Sequence, residues 1–140
     1  MNTKTYQSLE FKEILEETAR YALTNEGKET ILAIVPSRNK RVISHLHLEI
    51  EEAKAIITGS GNVPIHSLSD VTYMIEQAKK GMFIRADQFA RLVAFLDHCT
   101  KLKRFMNGKE MIAPTISLYA WSIADLTLLE KEIHRLQRTG

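Results

Sequence analysis

The sequence predicts an all-α protein, an irregular bundle of six or seven helices, and three observations carry that expectation. Apolar residues recur every three to four positions through most of the chain, as one face of a 3.6-residue helix requires. No stretch alternates apolar and polar residues as a half-buried strand would. The breaks between periodic segments hold the residues that start and stop helices, Ser, Asn, Gly and Pro.

Taken in order, Phe11, Ile14, Leu15, Ala19 and Ala22 draw the stripe of a first helix. Thr24 or Asn25 is suited to cap a second, whose Ile31, Leu32, Ile34 and Val35 run to Pro36, where the amide donor is lost. Ser37 or Asn39 then opens a long helix in which Ile43, Leu46, Ile50, Ala53 and Ile57 form the expected buried face, up to Gly59. GSGNVPIH at 59–66 reads as a loop. Ser67-Leu-Ser-Asp70 has the spacing of a capping box ahead of Val71, Met74, Ile75 and Ala78, and Gly81 closes that helix.

Met82-Phe83-Ile84 reads as extended. Phe89, Leu92, Val93, Leu96, Cys99 and Met106 then mark a helix of about five turns, ended by Asn107-Gly108. A short helix starts near Pro114, and Ser122-Ile-Ala-Asp125 repeats the capping-box spacing before Leu126, Leu129, Ile133 and Leu136. With no internal repeat, residues 1–140 are read as one helical domain. The last stripe still runs at 136–140, so the domain is expected to be the N-terminal fragment of a longer chain.

With 44% hydrophobic and 26% charged residues, the composition is that of a globular protein. One cysteine, Cys99, precludes an internal disulfide and a cysteine-rich zinc cluster. The polar start and the lack of a long apolar run lead to the expectation of a cytoplasmic protein that does not enter a membrane.

Reactive centres are not apparent. Gly27-Lys28-Glu29-Thr30 fails the phosphate-loop pattern twice, with Ala22 where the first glycine would stand and Glu29 where a hydroxyl is needed. Gly27 is expected instead to let another helix approach closely. His45 and His47, two apart on a helix, point about 200° from each other and cannot share a metal, and His98 and Cys99 are no better placed. No catalytic, cofactor-binding or metal-binding residue is assigned, and the chain is not expected to be an enzyme. Glu49, Glu51 and Glu52 read as a solvated acidic face, and Tyr119 and Trp121 as core or staple residues.

Charge is unevenly spread. Residues 81–109 carry a net +4 and residues 1–36 a net −2. The overall +2 is weak for a dedicated nucleic-acid binder and favours a solvated face. Lys101, Lys103 and Arg104 are the candidate nucleic-acid contacts, with Lys79-Lys80, Arg38, Lys40 and Arg41 as auxiliaries.

The segments LEFKEIL, GKETILAIVPS, HLHLEIEEAKAII, LSDVTYMIEQAKKGMFI and LKRFM, in that order, resemble the N-terminal region of the MutS-type DNA mismatch-repair ATPases. The match is to the shorter bacterial branch without mismatch-recognition and connector domains. The resemblance implies a noncatalytic core and lever that couples a C-terminal ATPase to a DNA clamp. ATP and Mg would belong to that parent, which would dimerise through its ATPase, and the partners of this region would be the parent's other domains and DNA. This sequence departs from the resemblance at Arg85-Ala86, where a Ser-Pro helix start is common. The alternative reading is a stand-alone helical module for protein interaction or for work at RNA or ribosomes.

Overall fold

The computed structural model describes residues 10–67 and 69–139, with the side chains of Ser69, Asp70 and residues 136–139 outside the description. Among these residues there are seven helices and no strand: α1 (Phe11–Ala19), α2 (Asn25–Leu32), α3 (Lys40–Ser60), α4 (Ser69–Lys79), α5 (Ala86–Met106), α6 (Pro114–Ser122) and α7 (Thr127–Thr139).

Helix ends follow local chemistry. Thr24 caps α2 by accepting from the Gly27 amide at 3.0 Å, and Asn39 Oδ1 caps α3 by accepting from Arg41 and Val42. At the end of α4 the Gly81 amide donates to Ala78 and the Met82 amide to Gln77, with Gly81 at φ 71°. That is the left-handed closure in which the freed carbonyls find donors just past the helix. At the start of α5, Gln88 Oε1 accepts from the Arg85 amide at 2.9 Å, so a glutamine three residues in replaces a Ser or Thr cap.

Three local expectations change. Helix α2 ends at Leu32, short of Pro36, and Ile34 and Val35 are exposed. Gly27 does not face another helix: a Cβ there would meet the capping Thr24 Oγ1 at 3.1 Å and Ala22 Cβ at 3.8 Å. Ser122 donates to the Tyr119 carbonyl at the end of α6, and Asp125 stands just ahead of α7, its Oδ1 accepting from the Thr127 amide at 3.0 Å. The acidic partner of the first capping-box spacing, Asp70, and the last apolar residue, Leu136, have side chains outside the described set.

The helices pack in a chain of neighbours. Helix α6 lies against both α3 and α5, and α5 also packs on α4 and α7. Ile56, Met106, Ala113 and Ala120 form the central cluster, with Val63, Leu102, Phe105 and Ile116 packed against it. Helices α1 and α2 form a hairpin around the buried Ala19, tied to the loop after α3 where Ser67 Oγ donates to the Glu26 carboxylate. Gln88 of α5 donates to Gln77 of α4 at 3.1 Å.

The stripe expected to bury α3 is not the face that packs. Ile43, Leu46, Ile50 and Ile57 are 38–57% exposed, whereas Glu52 and Ile56 are buried. The two faces are roughly 130° apart on a 3.6-residue helix. The packed one is chosen by what α6 demands, as described below.

Because Gly81 sits in the left-handed region with open space around it, its substitution isolates backbone strain. Gly81→Ala is expected to lower stability by about 1 kcal/mol, and Gly81→Asn by less, in a denaturant-midpoint comparison.

Candidate nucleic-acid interface and the α3–α6 joint

Helix α6 begins Ala113-Pro114, and this start creates a requirement that the rest of the site answers. Pro114 has no amide proton, so one of the orphan donors of the first turn is absent. Ala113 has no side-chain oxygen with which to cap the next two. The Ser117 amide is satisfied by the Ala113 carbonyl at 3.0 Å. The amides of Thr115 and Ile116 remain, and both donate to the Glu52 carboxylate of α3, at 3.2 and 2.9 Å. A carboxylate at a helix N-terminus also meets the positive end of the helix dipole.

Glu52 is 4% exposed. Burial pushes its carboxyl up, but the hydrogen bonds from Ile116 and Thr115 act the other way, His45 adds to them, and its pKa falls below the ordinary 4.5. One turn earlier, Glu49 accepts from the Tyr119 hydroxyl and pairs with His45 at 3.2 Å. Tyr119 is held protonated by that carboxylate, which raises its pKa. His45, Glu49, Glu52 and Ile56 lie within about 60° on α3, one polar-to-apolar stripe set against α6. Of the three glutamates expected to be solvated, only Glu51 is, paired with Lys54 at 3.0 Å. The missed signal is in α6: a helix that opens on Ala-Pro needs an acceptor from elsewhere.

The candidate cations lie on the C-terminal half of α5 and diverge. Lys101 pairs with Asp97 at 2.7 Å, and this hydrogen bond leads the effects that hold the Asp97 carboxyl below its usual range. Lys103 donates to the Ile123 carbonyl at 3.0 Å, at the joint between α6 and α7. Arg104 lines the same joint. Lys103 and Arg104 occupy the last turn of α5, where cations favour the helix dipole. Trp121 is 62% exposed and Tyr119 54%, so neither is the core residue that composition suggests.

His66 of the loop stacks on His98 of α5, ring centres 3.5 Å apart and nearly parallel. Burial lowers the His98 pKa, and His66 and Lys101 add to it. Parallel stacked imidazoles cannot direct two nitrogens at one ion, and among the described residues no three His, Cys, Asp or Glu side chains converge as a metal site. No described helix is long and apolar enough to cross a membrane.

The Glu52 cap has a defined pH signature. A carboxyl with a depressed folded pKa contributes stability above its unfolded value that is lost as pH falls through the folded one. Glu52→Leu is therefore expected to melt lower than the wild type at pH 7, and the gap should narrow below about pH 4.5. Melting curves across pH check this, and a gap constant down to pH 3 counts against the cap.

No protein-family model and no solved structure matches the chain. Similar sequences occur among curated proteins. The chain is 31% identical over 137 residues to a protein named Endonuclease MutS2 from Clostridium beijerinckii, which covers 96% of this chain and 17% of that protein. It is 29% identical to the protein of that name from Clostridium botulinum and 28% identical to the one from Bacillus velezensis, each over 137 residues, 96% of this chain and 18% of theirs. The chain thus spans less than a fifth of the length of these relatives, and what the comparison supports is that it is related in sequence to one region of the MutS2 endonucleases.

Proposed function

We propose that this chain is a noncatalytic helical core and lever region of a MutS-like DNA repair or recombination ATPase, belonging to the branch without mismatch-recognition and connector domains. Its work is to transmit movement between an ATPase and a DNA clamp carried by the remainder of the parent. The observation that carries this reading is the long α3 rod locked to α6 by Glu52, with an uncovered apolar face beside the lock. A strut that couples domains needs one rigid joint and one face left for its neighbours, and a buried charge-assisted joint supplies the first.

The kinship with MutS2 endonucleases over 96% of the chain supports the same reading. ATP and Mg would be bound by the parent's own motifs. DNA phosphates would meet Lys101, Lys103 and Arg104, whose present partnerships are exposed and exchangeable.

A chimera tests the coupling role. Residues 1–140 are placed in Clostridium beijerinckii MutS2 in place of the matching segment, and nucleotide turnover and nucleotide-dependent DNA release are measured. The expected result is that both persist, and that Glu52→Leu in the chimera leaves turnover intact while release no longer follows it. Persistence of release in that variant rejects the lever. Separately, Lys101→Glu with Lys103→Glu should weaken duplex DNA binding and reduce the slope of log affinity against log salt by roughly two; unchanged titrations reject that face.

A further inference from the structure

The joint of α5, α6 and α7 contains a cleft of about 370 Å³, a volume that suits a small organic group. Its lining combines two chemistries. Lys103 and Arg104 enter from the last turn of α5, and Trp121 enters from the penultimate position of α6 with Leu126 beside the start of α7. The 3.0 Å bond from Lys103 to the Ile123 carbonyl holds that ammonium at the joint. Asp125 also lines the cleft, but its Oδ1 already accepts from the Thr127 hydroxyl at 2.6 Å and the Thr127 amide at 3.0 Å. The two cations outnumber that one carboxylate.

An indole left 62% exposed beside two cations offers a flat π-face next to an anion site. A ligand that presents both complements is a nucleotide, whose base stacks on aromatic rings and whose phosphate meets Lys or Arg. We propose that this cleft holds one unstacked nucleotide of a single-stranded nucleic acid, its base on Trp121 and its phosphate at Lys103 and Arg104. Bases inside a duplex are stacked on one another and cannot reach the indole without being extruded. Lys101, turned to Asp97, stands outside the cleft and takes no part. The inference rests on the nucleic-acid half of the proposed function and narrows it to a strand type and an aromatic platform.

Trp121 is the chain's only tryptophan, so its emission reports on the surroundings of this one side chain. The 140-residue chain is titrated with dT12, with U12, with a duplex of equal length and with inorganic phosphate. The expected result is quenching by one or both single strands and little by duplex or phosphate; which strand is favoured separates DNA from RNA as the source. By anisotropy of a labelled strand, Trp121→Leu and Arg104→Glu should each weaken binding roughly tenfold, Trp121→Phe and the exposed Lys28→Glu of α2 much less. Circular dichroism confirms that each variant folds. Equal quenching by inorganic phosphate would leave an anion site with no base platform and overturn the proposal, as would full affinity in Arg104→Glu. Duplex binding that depends on Lys101 and Lys103 while Trp121 emission stays unmoved would reject the cleft and keep the phosphate face; no binding by any polymer rejects both.

Discussion

The carboxylate of Glu52 reaches from the middle of α3 to the amides of Thr115 and Ile116, and much of the remaining architecture answers to that one contact. Helix α6 starts with a proline and an alanine, so its first turn cannot satisfy itself. Buried amides without acceptors are costly, and a buried carboxylate without donors costs more. Each is acceptable only because the other is there. Once the pair is made, α6 is fixed across α3, Tyr119 is brought to Glu49, and Ala113 and Ala120 are pressed onto Ile56 and Met106.

This contact also settles which side of α3 is inside. An apolar face would otherwise be the natural choice for packing, and α3 has one in Ile43, Leu46, Ile50 and Ile57. A single buried carboxylate with defined donors outranks that stripe, because hydrogen bonds are directional and the hydrophobic effect is not. The apolar stripe is displaced to the surface, beside an apolar groove of about 850 Å³ lined by Leu23, Ile57, Val63 and Ile65. Exposed apolar surface of this extent is unusual in a self-contained monomer and usual in a part that meets neighbours.

The basic end of α5 shows how the same charges acquire different meanings by position. Lys101 and Lys103 are two residues apart, so they point to different sides of the helix. One is spent on Asp97 and the other on the Ile123 carbonyl. Only the second shares a surface with Arg104 and Trp121. A net-charge count treats the three cations as one patch, whereas the folded chain divides them between two environments.

Helix identity and most helix ends were determined by the sequence itself, the end of α2 at Leu32 and the start of α7 being the exceptions. The 3.6-residue period, the left-handed stop at Gly81 and the breaks at Asn107-Gly108 and Pro114 act within a few residues, so they are legible without a structure, and the caps were narrowed to Thr24 or Asn25 and to Ser37 or Asn39, of which the fold uses Thr24 and Asn39. What the tertiary structure decided was the rotation of α3, the burial of Glu52, the exposure of Trp121 and the cleft around it. Each depends on partners far apart in the chain: Glu52 and Ile116 are 64 residues from each other, and Lys103 and Ile123 are 20. A periodic pattern records that a helix has two kinds of face; only the neighbour that arrives, with its own unmet donors, selects the face that is buried.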